Sequence, residues 1–434
     1  MKELLEFLSL SNANVRYVVL GVMLLGASTA VVGTFTFLRK KSLVGDAVAH
    51  SVLPGICLAF IFAQVRHPFV LLSGAFISGW LSILSIDFIS KKSRIKSDAA
   101  IAIVLTVFFG IGIMLLSYIQ STGNAAQSGI DHFLFGQAAA LVGNDVIMLA
   151  IVCAVLVVVV WLLFKEFTIL SFDADYAQSM GLPVRSIEFI LSTLTVIAIA
   201  VGIQAVGVVL MAAMLITPAA AARYWTNKLS FMVALAAIFG ALSGLFGSYI
   251  SYSAPKMPTG PWIIIAITMI AFVSMTFAPE RGFYFKWLGK KRKAKTTMDE
   301  NILKIFFHLG EKENNVLAAR KITQLQERRY FEESEMRSSL KRLCRAGKVE
   351  ESDKGWLLTM NGIKESKRIA KLHRLWEMYM SKFLKIPADH VHEGAESLEH
   401  FFTPELEMML EEELDFPETD PHDKPIPYAK KTAS

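Results

Sequence analysis

The chain has 434 residues, of which 53% are hydrophobic and 19% charged, and its formal net charge is +6. This hydrophobic share exceeds that of an ordinary soluble domain, and the net charge is too small to indicate nucleic-acid binding by itself. The charged residues are unevenly spread, with 26 in the first 278 residues and 56 in the last 156. The composition therefore excludes one uniform soluble domain and predicts a membrane domain followed by a charge-rich soluble domain.

Apolar stretches of about 20 residues, the length needed to cross a bilayer, predict the membrane helices. The stretch 187–222 is too long for one span and contains Gly202 and Gly207 near its middle, so we divide it into two. Together with seven single spans, this division gives nine membrane helices. The single spans are residues 17–38, 44–63, 69–90, 99–120, 146–164, 229–251 and 261–278.

The distribution of lysine and arginine predicts the orientation, because loops rich in these residues stay on the cytoplasmic side. If the N-terminus is outside, 18 lysines and arginines up to residue 295 lie inside and four lie outside. Nine spans then place the soluble domain in the cytoplasm. We therefore expect a multi-pass protein of the inner (plasma) membrane with a cytoplasmic C-terminal domain.

The second span carries the first candidate site. Asp46 and His50 lie four residues apart and share one face of a helix, and ionisable residues within a span usually mark a functional site. One carboxylate and one imidazole suit Mn²⁺, Fe²⁺ or Zn²⁺. A hydrogen bond that joins two helices is the alternative. Pro54 and Gly55 predict a break in this helix, as in transport pathways.

A polar segment at residues 171–184 lies between two spans on the cytoplasmic side and ends at Gly181 and Pro183. We predict a short helix there, which either docks into a partner or connects the two spans. The sequence contains no G-x-x-x-x-G-K-[ST] phosphate-binding loop. We therefore expect this chain to have no ATPase site and no enzymatic activity of its own.

Four stretches of the membrane half follow one another as LRKKSLVGDAVAHSVLPGICLAF, KSRIKSDAAIAIVLTVFFGIGIMLLS, FDADYAQSMGLPV and VGVVLMAAMLITPAAAARYW. They resemble, in the right order, the signature stretches of the ABC-type manganese, zinc and iron importer permeases. The resemblance implies an ATPase subunit, an extracytoplasmic metal-binding protein and a second permease subunit, identical or different, as partners. It also implies that Asp46 and His50 line the metal route. The residues implied to couple to the ATPase are Ala177, Met180, Gly181 and Leu182.

After a basic linker at residues 279–297, the pattern becomes that of a soluble helical domain. Helices at 301–309, 316–329 and 334–346 precede two strands joined by the turn 352–355. This order predicts a winged helix-turn-helix domain at residues 298–361. A long helix at 362–384, a helix after Pro387 and a helix at 404–413 follow it.

The soluble half also carries a pattern typical of a metal site. His373 and Glu377 lie four residues apart on the long helix, and four residues of the next helix share one continuous face. Three imidazoles and three carboxylates facing one another suit octahedral Mn²⁺ or Fe²⁺, with Zn²⁺ as a further candidate. A solvated charged surface is the alternative. The four residues of the next helix are His392, Glu396, Glu399 and His400.

The stretches TTMDENILKIFFHL, LTMNGI, KLHRLWEMYM, VHEGAESLEHFF and PHDKPIP resemble the iron- and manganese-dependent repressors of the diphtheria toxin repressor family. The resemblance implies that all six residues are metal ligands. It also implies a dimerisation and metal-sensing domain at 362–427, which leaves 428–434 as a tail. Glu396 matches the manganese-type members, since the iron-type members have cysteine there. The chain departs from the family at Asn301 and Lys304, where further ligands are expected; a protonated lysine cannot bind a cation, so we expect one metal site intact and its neighbour altered.

Promoter DNA is a candidate partner of the soluble half. The third helix of the winged domain carries Arg337, Lys341 and Arg342, which suit contacts to phosphate or guanine. Acidic residues at positions 332, 333 and 335 crowd the start of this helix and would repel phosphate. A winged helix kept only for dimerisation or regulation is the alternative.

The sequence thus predicts an all-α polytopic membrane domain of about nine helices, followed by a winged helix-turn-helix and a helical metal-binding domain. The predicted function is the permease subunit of an ATP-driven importer for a divalent transition metal, with a fused cytoplasmic sensor that regulates transport or transcription. ATP would be bound only by the partner subunit. Two alternatives remain: a membrane-tethered or proteolytically released metal-dependent repressor, and a secondary transporter that needs no ATPase.

Overall fold

The computed structural model describes residues 6–7, 9–64, 67–121, 136, 138, 141–253, 257–329, 331–386 and 404–428. The chain divides into two compact units, Met1–Lys286 and Trp287–Ser434. The first unit contains the apolar half of the sequence and the second contains most of the charge-rich half.

The first unit consists of helices, most of them long enough to cross a membrane. Within the described ranges, eight helices have the necessary length and hydropathy, and Val208–Arg223 is a shorter apolar helix. In chain order the helices are α1 (Ala13–Leu38), α2 (Ser42–Ala63), α3 (Pro68–Lys92), α4 (Ser97–Ser121), α5 (Gly143–Leu162), α6 (Phe164–Phe172), α7 (Ala174–Ser179), α8 (Val184–Val206), α9 (Val208–Arg223), α10 (Leu229–Ser253) and α11 (Thr259–Phe277).

The division of residues 187–222 into two helices is confirmed, with the boundary at Gly207. This glycine separates α8 from α9 and has a φ of +91°, which glycine adopts readily and other residues rarely do. Val206 and Val208 on either side are fully buried. A side-chain carbon added at Gly202 would lie 2.4 Å from the sulfur of Met211. Helix α9 therefore folds back closely on α8 inside the unit.

The predicted break at Pro54 and Gly55 is wrong, because α2 is one helix from Ser42 to Ala63 with Pro54 inside it. A proline removes one helical hydrogen bond, and packing by neighbouring helices lets membrane helices tolerate that loss. Gly55 has a packing role: an added side-chain carbon would lie 2.1 Å from the carbonyl oxygen of Gly74 on α3. The two residues therefore mark a close contact between α2 and α3.

Helices α1, α2 and α8 are the most buried membrane helices, whereas α4, α5, α10 and α11 expose more of their surface. Apolar residues such as Val52, Ile199 and Met211 fill the space between α2, α8 and α9 and are inaccessible to solvent. Helix α1 contacts α10 at Gly26 and Gly240. A carbon added to either glycine would lie 2.3 or 2.1 Å from the carbonyl oxygen of the other. Such small-residue contacts are typical of packed membrane helices.

The remaining elements confirm the predicted winged helix-turn-helix. The two strands pair antiparallel, with Val349 opposite Leu358 and Ser352 opposite Gly355. Its core is a cluster of buried apolar residues from the three helices and both strands, and Ile369 of the long helix that follows also belongs to it. The elements are α12 (Phe283–Lys312), α13 (Ile322–Arg328), α14 (Glu333–Arg345), β1 (Val349–Ser352), β2 (Gly355–Leu358), α15 (Met360–Phe383) and α16 (Pro404–Glu413).

Two helix boundaries differ from the predicted ones. Helix α12 already begins at Phe283, so most residues of the predicted basic linker are helical and continuous with the first helix of the winged domain. Helix α13 is shorter than the predicted 316–329, because Arg320 pairs with Trp356 of β2 through two backbone hydrogen bonds of 2.7 and 2.8 Å. Residues before α13 therefore extend the wing. The predicted helix after Pro387 lies outside the described residues.

Candidate metal sites

Asp46 and His50 lie on successive turns near the start of α2 and share one face, as their spacing predicts. Nε2 of His50 is 3.6 Å from Oδ1 of Asp46, which is too long for a hydrogen bond but within range of an ion pair. The imidazole packs edge-on against Phe109 of α4, with ring centroids 4.9 Å apart. The Asp46 side chain is 41% exposed and that of His50 17%, so the pair is reachable from one side.

The pair offers two ligands to a metal ion and leaves the coordination shell incomplete. Nδ1 of His50 is buried and has no hydrogen-bond partner within the described part of the chain. Among the same residues, no three His, Cys, Asp or Glu side chains converge as a metal site. Zinc is usually held by four ligands, and Mn²⁺ prefers six. Water or a second molecule would have to supply the rest.

The segment predicted to couple to the ATPase forms α7 and the turn after it. The side chain of Asp173 accepts a hydrogen bond of 2.9 Å from the amide of Tyr176 and thereby caps α7. Ala177 is buried, and its carbonyl accepts from the amide of Leu182 at 3.1 Å. The turn contains Gly181, which has a φ of +79°. Ala177 and Leu182 therefore hold the turn together.

Exposed side chains of this segment lie on another face. Met180 is 58% exposed and Tyr176, one turn earlier, is 55% exposed. Sequence analysis did not single out Tyr176, although its spacing of four residues from Met180 would have indicated a shared face. Together, the two side chains give α7 an exposed apolar surface of the kind that protein interfaces use.

Sequence analysis also missed a cavity of about 410 Å³, with several charged residues in its lining, where α2, α3, α4 and α8 meet. Glu188 of α8 lines it and forms an ion pair with Arg39 and a longer contact of 3.6 Å with Lys41. Because Glu188 follows the coupling segment closely in the chain, these contacts tie that segment to the loop between α1 and α2. The sequence signal that could have indicated this contact is a carboxylate in the first turns of a membrane span, together with a basic loop opposite it.

In the second unit, His373 and Glu377 share one face of α15 and are almost completely buried. Nε2 of His373 is 3.2 Å from Oε1 of Glu377. On the other side of the ring, Nδ1 is 3.1 Å from the ammonium nitrogen of Lys304 on α12. Asn301 and Lys304 are also buried. The other four predicted ligands, His392, Glu396, Glu399 and His400, lie outside the described residues.

This described half of the predicted sensor site does not fit a metal ion. A lysine ammonium has three donors and no acceptor, so Lys304 cannot serve as a ligand. Its contact with His373 occupies one of the two ring nitrogens. Asn301 offers only a neutral carbonyl oxygen, a weak ligand. A protein cation thus lies where the repressor pattern places further metal ligands.

Beside this pair, a buried ion cluster forms around Arg374, whose side chain is 1% exposed. Its guanidinium donates to both carboxylate oxygens of Glu311 at 3.1 and 2.6 Å and to the carbonyl of Pro425, and lies 3.5 Å from Asp420. Burial alone would raise the pKa of Glu311, but the hydrogen bonds from Arg374 and the neighbouring positive charges together outweigh it and hold that pKa below its usual value. The cluster ties α15 to α12 and to the C-terminal segment.

His308 of α12 lies next to the same cluster. Burial, together with the positive charges of Lys304 and Arg374, lowers the pKa of His308 to about 4. Its imidazole is therefore neutral at neutral pH. Sequence analysis did not assign a role to this histidine, because Arg374 and His373 beside it come from a distant part of the chain.

The three residues predicted to contact DNA lie on α14 in different settings. Arg337 is exposed and pairs with Glu333 at 2.8 Å. Lys341 is exposed. Arg342 is partly buried and donates to both carboxylate oxygens of Asp299 on α12, at 3.1 and 2.6 Å. The guanidinium of Arg342 therefore helps to fix α14 against α12.

Comparison with known families decides the class of the first unit. A model of the ABC 3 transport family matches residues 11–278, which is more than half of the chain. The chain belongs to the ABC 3 transport family. A second model, the iron dependent repressor metal binding and dimerisation domain, matches residues 359–428. This ABC 3 family member is therefore a permease unit fused to a repressor-type unit.

Similar proteins from other organisms differ in whether they extend over the second unit. The manganese transport system membrane protein MntC of Bacillus subtilis is 41% identical over 401 residues, which cover 92% of this chain and 90% of that protein. The zinc transport system membrane protein TroC of Treponema pallidum is 40% identical over 290 residues, 67% of this chain and 97% of that protein. The solved structure of PsaBC from Streptococcus pneumoniae in complex with Fab aligns with a TM-score of 0.59 at 32% identity, covering 65% of this chain and 99% of that one. The repressor-type unit is thus an addition that only some relatives share.

Proposed function

We propose that the chain is the permease subunit of an ATP-driven importer for a divalent transition metal, with Mn²⁺ as the first candidate and Fe²⁺ and Zn²⁺ as the others. The observation that carries this proposal is the Asp46–His50 pair on one face of a membrane helix, since a carboxylate and an imidazole suit these ions. Membership of the ABC 3 transport family supports the transporter class. The B. subtilis relative that aligns along most of this chain is named as a manganese transport protein, which favours Mn²⁺.

Two permease subunits would enclose the ion path, each contributing one Asp46–His50 pair. Two carboxylates and two imidazoles, completed by water, make a mixed shell that suits a first-row divalent ion. A site that is shared between subunits and partly hydrated binds the ion firmly enough to select it and weakly enough to release it. An extracytoplasmic binding protein would deliver the ion.

ATP would be hydrolysed by a separate subunit that docks on the cytoplasmic side. The exposed apolar surface formed by Tyr176 of α7 and Met180 just after it is suited to that contact. The ion pair between Glu188 and Arg39 would pass a movement of this segment to α1. The lysine and arginine distribution supports the orientation that this scheme needs.

The repressor-type unit would report the metal level in the cytoplasm. The family match at residues 359–428 supports a metal-sensing role, with His392, Glu396, Glu399 and His400 as the ligands. Control of transport is favoured over control of transcription, because Arg337 and Arg342 already pair with Glu333 and Asp299 within the domain. DNA binding would have to compete with these pairs.

The transport proposal is tested by Mn²⁺ uptake into proteoliposomes that contain the complete complex and ATP. The double variant Asp46→Ala/His50→Ala should lower uptake at least roughly tenfold, since even the loss of a residue that only supports a metal ligand typically costs that much. Asp87→Ala is the matched control, since it removes an exposed carboxylate paired with Lys91 on α3 and should leave uptake intact. Unchanged uptake in the double variant would contradict the proposal, and uptake without the ATPase subunit would indicate a secondary transporter.

The sensing role is tested in the same proteoliposomes by raising Mn²⁺ on the cytoplasmic side. Uptake should fall in the unaltered protein and should persist in the variant Glu399→Ala. Binding of labelled promoter DNA by the full-length protein, with and without Mn²⁺, is measured in parallel. Metal-dependent DNA binding without any effect on uptake would instead make the chain a membrane-tethered repressor.

A further inference from the structure

The contact between Lys304 and His373 determines what the His373 ring can do. An ammonium group can only donate a hydrogen bond, so Nδ1 of His373, 3.1 Å from the Lys304 nitrogen, must accept it with its lone pair. A neutral imidazole carries its proton on one nitrogen only. The proton therefore lies on Nε2, which faces Oε1 of Glu377 at 3.2 Å. Lys304, His373 and Glu377 thus form one buried row of polar contacts.

This arrangement leaves neither ring nitrogen of His373 available to a metal ion. Coordination requires a nitrogen lone pair: that of Nδ1 is used by Lys304, and Nε2 carries the proton. A metal bound to Nδ1 would lie about 2 Å from it, in the direction of the ammonium nitrogen at 3.1 Å. The two cations would overlap. A metal on Nε2 would require the ring to lose its last proton or the lysine to leave.

The surrounding charge also opposes a second cation. A cavity of about 410 Å³ lies beside the three residues, and its lining includes Arg328, Arg329 and Lys424 in addition to Lys304. Among the described residues, Glu377 and Asp420 are the carboxylates of that lining, and Asp420 is already close to Arg374. Among the described lining residues, positive charges outnumber negative ones, and this part of the cavity wall disfavours a divalent cation.

We propose that Lys304 permanently fills the cation position of His373 and Glu377, so that these two residues join α12 to α15 and do not bind metal. The chain would then hold one metal ion fewer than a repressor-type domain with a carboxylate at position 304. This inference relies on the proposed sensing function in one respect: the metal ion that the tail still binds is held by the remaining ligands, His392, Glu396, Glu399 and His400. Metal binding by the tail depends on those four residues and is independent of His373.

The test is the number of Mn²⁺ ions bound per full-length chain in detergent, measured by elemental analysis and by electron paramagnetic resonance titration. All variants also carry Asp46→Ala and His50→Ala, so that the membrane pair adds nothing to the count. His373→Gln keeps an acceptor for Lys304 and a donor for Glu377, and should leave the stoichiometry and affinity unchanged. Loss of one ion, or affinity weakened by roughly tenfold or more, would overturn the proposal.

The converse variant restores a carboxylate. Lys304→Glu should add one Mn²⁺ per chain, and Lys304→Glu/His373→Gln should lose that added ion. A folded Lys304→Glu protein without the added ion would also overturn the proposal; if this variant does not fold, the result for His373→Gln decides alone. If Glu399→Gln leaves the number of bound Mn²⁺ ions unchanged, the proposed sensing function fails. The difference in bound Mn²⁺ between Lys304→Glu and Lys304→Glu/His373→Gln still tests this inference.

Discussion

The ion cluster of Arg374 makes a large stability effect testable. Arg374→Met keeps the length and apolar stem of the side chain but removes its charge, which leaves the Asp420 carboxylate without its positive partner at 3.5 Å. Removing one partner of a buried pair typically costs about 3–5 kcal/mol. Asp420 keeps backbone hydrogen bonds of 2.8 and 2.9 Å from His422 and Lys424, and Glu311 is 34% exposed and can be hydrated again. We therefore expect the lower end of the range, about 3 kcal/mol.

The measurement is pulse proteolysis in urea of the full-length protein in detergent, following the C-terminal unit. At roughly 2 kcal/mol per molar urea, the midpoint should fall by about 1.5 M. Arg368→Met is the matched control on the same helix, because Arg368 is 38% exposed and pairs with Glu407 at 2.9 Å. Arg368 is the more exposed partner of this pair, and Glu407 keeps a contact of 2.6 Å with Lys371 when Arg368 is replaced, so we expect a loss of about 1 kcal/mol or less.

Equal shifts for Arg374→Met and Arg368→Met would refute the reasoning, since they would mean that burial does not determine the effect. A second comparison isolates the unpaired charge. Arg374→Met/Asp420→Asn removes both charges and should recover part of the loss, because replacing a whole buried pair is much less costly than breaking it. If the double variant recovers no stability, the loss in Arg374→Met comes from lost packing.

Two further outcomes are expected. The pKa of His308 falls from 6.5 to about 4 on folding, so between these pH values the unfolded chain binds a proton that the folded chain does not. The contribution of His308 to the free energy of unfolding is therefore full above pH 6.5 and is lost as the pH falls toward 4, by roughly 3 kcal/mol at most. His308→Gln should flatten the change in urea midpoint between pH 7 and pH 5; an unchanged slope would contradict this assignment. Gly55→Ala should lower the thermal midpoint of the detergent-solubilised protein, because the added carbon would lie 2.1 Å from the Gly74 carbonyl oxygen, whereas Gly110→Ala meets nothing within 4 Å and should be neutral. Equal midpoints for the two alanine variants would contradict the close contact.

Most membrane helices could be predicted because length and hydropathy alone decide which stretches span a bilayer. The boundary at Gly207 was predictable for the same reason, since the apolar stretch was too long for one span. The continuity of α2 through Pro54 was not predictable, because neighbouring helices decide whether a membrane helix tolerates a proline. Local patterns therefore located the helices, and contacts between helices determined their continuity.

The candidate sites show the same difference between local patterns, which the sequence reveals, and contacts between distant residues, which it does not. The shared faces of Asp46 with His50 and of His373 with Glu377 follow from a spacing of four residues, and both are present in the structure. Lys304 could be identified as unusual, but not its position against His373, which lies 69 residues away in the chain. The charge cluster around Arg374 gave no signal at all, because its partners lie on α12 and on the C-terminal segment.

The two glycine contacts of the membrane unit, Gly26 with Gly240 and Gly55 with Gly74, have a genetic consequence. Where a large side chain meets a small one, an enlarging mutation on one helix can be compensated by a smaller residue on the other. Here both members of each pair are already the smallest residue, and their backbones are in contact. A screen for second-site suppressors of a substitution at any of these four positions should therefore recover revertants at the same position and none at its partner.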